Sequence, residues 1–131
     1  MKVKVLHSSY VGRSNEQLGG PYQQSERHYV IGSELEVHAI VVFEGRILFC
    51  VFDKFEDFTW DYPWMFEVLD GAVPDDWIVN CFDGAVSMIV GPEFLAKNVE
   101  AYQEFVELVP EAVQRMRERW RTRCDQSRAT P

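Results

Sequence analysis

Charged and apolar residues alternate from Met1 to His7, with Val3 and Val5 on one side, and this period of two predicts a short half-buried strand. The hydrophobic pattern then lapses. Ser8 to Glu26 is rich in Gly, Ser, Gln and Asn with no sustained period, which predicts a polar loop longer than compact domains usually carry. Apolar residues return in Leu35–Phe43 (LEVHAIVVF) and Arg46–Asp53 (RILFCVFD), which flank Glu44-Gly45 and predict a β-hairpin. Past Ala39 nearly every position of this hairpin is apolar, so both its faces are expected to be covered. Trp64–Leu69 reads as a further strand closed by Asp70-Gly71. Trp77–Phe82 and Ala85–Val90 flank Asp83-Gly84 and predict a second hairpin.

From Gly91-Pro92 the spacing changes to three and four, through Leu95, Val99, Tyr102, Phe105, Val109, Val113, Met116 and Trp120. Pro110 interrupts this pattern. It lacks an N–H and clashes in a helix interior but fits a first turn, so two helices are expected, with Pro110 opening the second. Residues 124–131 are expected to fray. Strands first and helices last predict a single α+β domain over 1–131: an antiparallel sheet of about five to six strands with two C-terminal helices packed on one face.

Composition narrows the function classes. At 131 residues the chain is long enough to bury a core without metal or disulfide staples. Three cysteines, Cys50, Cys81 and Cys124, form no CxxC pair and make a poor disulfide framework, which fits a reducing cytoplasm. No secretory or membrane-spanning apolar run is present in the sequence, so a soluble protein is expected. The formal net charge of -8 argues against nucleic acid or an anionic membrane surface as a partner, because both are bound chiefly through Lys and Arg.

That charge is unevenly placed. Acids and bases cancel over residues 1–52 and again over 84–131, whereas Asp53 to Asp83 carries Asp53, Glu56, Asp57, Asp61, Glu67, Asp70, Asp75, Asp76 and Asp83 against Lys54 alone. Trp60, Tyr62, Trp64 and Trp77 lie in the same span. Acids interleaved with large aromatics suit a surface that steers a basic protein inward and then buries its rings, so Asp53, Glu56, Asp57, Trp60, Asp61, Tyr62, Asp75 and Asp76 are the expected partner-binding residues. The competing reading puts the acids on solvated turns and the rings in the core; Asp70 and Asp83 each precede a glycine.

Candidate chemistry is sparse. Paired carboxylates could serve a hydrolase, with Trp60, Tyr62 and Trp64 stacking on a sugar, but nothing in the sequence fixes their separation. Asp53, Glu56 and Asp57 lack the glycine and ligand spacing of an EF-hand loop. His38 and Cys50 would fall on opposite faces of the first hairpin if its turn is two residues long, and on one face if a bulge intervenes. His7 and His28 have no ligand partner at a recognisable spacing. No catalytic, metal or cofactor residue is therefore assigned.

The segment IGSELEVHAIVVFEGRILFCVFD, then Pro63-Trp64 and MFEVLDGAVPDDW, then GPEFLAKN and EFVELVPEA, resembles small stand-alone bacterial immunity proteins found beside polymorphic toxins, whether contact-dependent or type VI secreted. The resemblance spans about residues 27–114. It implies a non-enzymatic cytoplasmic protein that binds and neutralises a cognate toxin, with Trp64, Phe66 and Trp77 architectural. An acidic surface would suit a toxin with a basic, nucleic-acid-targeting cleft. A small-molecule or carbohydrate-binding module is the alternative expectation, and a hydrolase the next; self-association is left open.

Overall fold

The computed structural model describes residues 1–8, 29–52 and 58–129, with side chains to residue 122. The expected polar loop beyond Ser8, and Asp53, Glu56 and Asp57, lie outside the described residues. Among the described residues, eight strands form two antiparallel sheets rather than one. β1 (Lys2–Val5), β2 (Glu34–Glu36) and β6 (Phe66–Asp70) make a three-stranded sheet in the order β2-β1-β6. β3 (Ala39–Phe43), β4 (Arg46–Phe52), β5 (Phe58–Asp61), β7 (Trp77–Cys81) and β8 (Val86–Pro92) make a five-stranded sheet in the order β5-β4-β3-β8-β7. Three helices follow: α1 (Glu93–Ala96), α2 (Val99–Val106) and α3 (Pro110–Ala129).

The two predicted hairpins form as expected, and in the first Phe43 lies opposite Arg46 and Ala39 opposite Cys50. Glu44 and Gly45 turn the chain with φ of 49° and 75°, a region that costs glycine little. β5 was not foreseen because its four residues, FTWD, are too few to display a period.

The layers are small sheet, large sheet, helices. Val3, Val5 and Phe66 from the small sheet meet Phe49 and Val51 from one face of the large sheet, with Val37, Tyr62 and Met65 completing that core. On the opposite face Ala39, Cys50, Val41 and Ile89 pack against Leu95, Ala96, Tyr102, Phe105 and Met116 of the helices. Small residues at Ala39 and Gly91 let this layer approach closely: a Cβ on Gly91 would sit 3.1 Å from Ala39 Cβ.

Helix boundaries follow from local chemistry. Asn98 caps α2, its side chain accepting from the Ala101 N–H at 2.8 Å. At the other end Leu108 takes φ of 61°, Val109 N–H donates to Glu104 O at 2.9 Å and Leu108 N–H to Phe105 O at 3.1 Å, a Schellman closure. Pro110 then opens α3 as expected, but the helix continues through the anticipated frayed tail to Ala129.

Candidate functional site

The expected acidic, aromatic surface is dispersed among the described residues. Asp61 is fully buried at the end of β5, on the side of the small sheet, where Tyr29 Oη donates to its Oδ2. Tyr62 is also buried, and its ring lies parallel to that of Trp64 with centroids 6.4 Å apart. Trp60 points the opposite way, edge-on to Tyr102 at 5.4 Å and Phe105 at 6.1 Å beneath the helices. Asp61 and Tyr62 are therefore core residues rather than surface contacts. A continued strand would put residues two apart on one face, but β5 ends at Asp61; Trp60 packs on the helix side while Tyr62 and Trp64 pack on the small-sheet side, so the three form no single platform for a sugar.

The remaining described acids occupy three separate places. Glu67 and Asp70 lie on the small sheet across from Lys4 and Lys2, which on their other side face Glu34 and Glu36 of β2, so this face carries its own counter-charges. Asp75 and Asp76 precede β7. Both Asp76 oxygens meet the Arg119 guanidinium, Oδ1 to Nη2 at 2.5 Å, a bidentate pair tying β7 to α3. Asp75 and Asp83 remain exposed at opposite ends of β7.

The groups suspected of chemistry are held structurally. Cys50 is buried among Ala39, Leu95, Phe105 and Met116; desolvation first, and the Asp61 carboxylate second, push its thiol well above the ordinary range. That favours an inert neutral thiol. The His38 ring makes edge contacts with Phe52 at 5.0 Å and Phe58 at 5.6 Å, on the helix side of the sheet that Cys50 also faces. A regular ladder from the two-residue turn would put it on the other face, and a bulge on the same one. The strand alternation breaks here because His38 N–H donates to Cys50 O at 2.8 Å rather than pairing with Val51. Cys81 is a free, exposed thiol. Among the described residues no three His, Cys, Asp or Glu side chains come together to hold a metal, and no helix is long and apolar enough to cross a membrane.

The large sheet also carries an open apolar face that no sequence pattern announces. On the large sheet's non-helical side, two rows cross four strands: Phe49–Ile40–Val90–Val79 and Ile47–Val42–Met88–Cys81. The small sheet covers Phe49, but the cover gives out along both rows, leaving Ile47, Val79 and Cys81 exposed and Val42, Met88 and Val90 half-buried. The first hairpin is thus covered on its helical face and only partly on the other. The alternation in β7 is visible in the sequence; the shortfall of cover is not, since it depends on how far the three described strands of the small sheet reach. No family model, curated protein or solved structure matches this chain.

Proposed function

We propose that this protein is a cytoplasmic immunity protein that binds and neutralises a cognate bacterial toxin without chemistry of its own. The observation that supports it is the open apolar face, since contiguous exposed apolar surface with no charge in its rows suits a protein partner. The net charge of -8 suits a basic partner, and a nucleic-acid-targeting toxin has such a cleft. The fixed roles of Asp61 and Asp76 favour binding over hydrolysis, and the divided rings of Trp60 and Tyr62 disfavour a sugar platform.

The test is neutralisation. A toxin, sought in the gene beside this protein's own, is expressed in a susceptible bacterium with and without it. Restored growth, and a complex of the two purified proteins whose association slows as salt rises, are expected; unrelieved toxicity would refute the reading. Reversing Asp53, Glu56, Asp57 and Asp75 to lysine should slow association, whereas Asp61→Lys would break the buried hydrogen bond from Tyr29.

A further inference from the structure

The large sheet ends in a strand that is uncharged from end to end. β7 reads WIVNC, and on its inner side it pairs with β8 from Trp77↔Pro92 to Cys81↔Met88. Phe82 N–H donates to Ser87 O at 2.9 Å. Antiparallel ladders alternate between pairs that exchange hydrogen bonds and pairs that do not, so Asn80 and Ile78 also bond inward while the N–H and C=O groups of Val79 and Cys81 point off the edge. Val79 is 61% exposed and Cys81 is exposed, and no described strand lies beyond them. Most proteins blunt such an edge with charge or proline.

Here the charges sit at the ends of the edge instead. Asp75 lies just before β7 and Asp83 just after it. A second copy pairing antiparallel about Val79 would bring Asp75 of each chain against Asp83 of the other, and like charges facing across strands are destabilising. A strand with basic residues at both ends would gain at the two places where self-pairing loses.

We infer that the outer edge of β7 is a strand-addition site for an extended segment of a partner protein, apolar at alternate positions and basic at both ends. The incoming backbone takes up the outward groups of Val79 and Cys81. Its apolar side chains extend the rows that now stop at Val79 and Cys81. Lysine or arginine at its ends meets Asp75 and Asp83. The inference rests on the proposed toxin-binding role for its biological partner, but the edge is testable without a toxin.

Two capped peptides of alternating threonine and valine serve as probes, one with lysine at both ends and one with glutamate, titrated by calorimetry and by amide NMR. The lysine-ended peptide is expected to bind at least tenfold tighter and to shift the Val79 and Cys81 amides most. Asp75→Lys with Asp83→Lys should invert that preference on an unchanged fold. Val79→Pro should abolish binding of both peptides, since proline at an outward-facing edge position removes the donor without breaking the ladder. No binding by either peptide, equal binding, a preference that survives the charge reversal, or a wild-type dimer paired through β7 would each overturn the inference. If the peptides behave as expected but the adjacent toxin is not neutralised, the edge stands and the immunity role falls; the converse result removes the edge alone.

Discussion

Cys50 gives the core a pH dependence that can be worked out from its surroundings. In the folded protein the thiol is enclosed by Ala39, Leu95, Phe105 and Met116, and this burial, with a smaller contribution from the Asp61 charge acting through the sheet, holds its proton on. In the unfolded chain the same thiol ionises near 8.5. Above that pH the unfolded state sheds a proton that the folded state keeps, so stability present below about pH 8.5 is lost as pH rises. While the folded thiol stays protonated, the slope approaches about 1.4 kcal/mol per pH unit well above pH 8.5. Tyr102, whose hydroxyl is pushed up to about 12 mainly by burial, adds its own loss only above pH 10. Urea unfolding followed by tryptophan fluorescence from pH 7 to 10, under reducing conditions, measures the effect in wild type and in Cys50→Ala. The variant should be about 1 kcal/mol less stable at pH 7, from the lost buried sulfur, yet fall less steeply above pH 8.5. Parallel pH profiles would refute the assignment.

Met116, fully buried, joins α3 to Cys50, Leu95 and Phe105, so Met116→Ala should cost about 2–5 kcal/mol in urea unfolding; a cost below 1 kcal/mol would mean that α3 is not docked there. Asn98→Ala removes the α2 cap and should cost about 1 kcal/mol by the same assay, with Asn98→Asp restoring most of it. Arg119→Ala breaks an ion pair whose Asp76 partner is 59% exposed, so it should cost no more than about 1 kcal/mol at low salt and less in 1 M salt.

Elements with a long or repeated pattern were legible in the sequence. The first hairpin, down to its Phe43↔Arg46 register, follows from Glu44-Gly45 between two apolar runs, and the division of the helical tail follows from Pro110. Assignment of strands to sheets was not legible. β1 and β6 carry ordinary strand patterns, and nothing local says that they leave the large sheet to pair with each other. The charge count found a real excess but not its arrangement, because the same aspartate can be a core acceptor for Tyr29, as Asp61 is, or a counter-ion, as Asp76 is to Arg119. The His38 orientation turned on one irregular hydrogen bond, which no periodicity announces.

The most direct test is amide hydrogen exchange on the protein in complex with the toxin it neutralises. Slowed exchange is expected at Val79 and Cys81, whose amides are directed off the free edge of β7, together with reduced solvent access at Ile47 and Met88 on the same face. Unchanged exchange along β7, with new protection confined to the helices, would contradict binding at this edge.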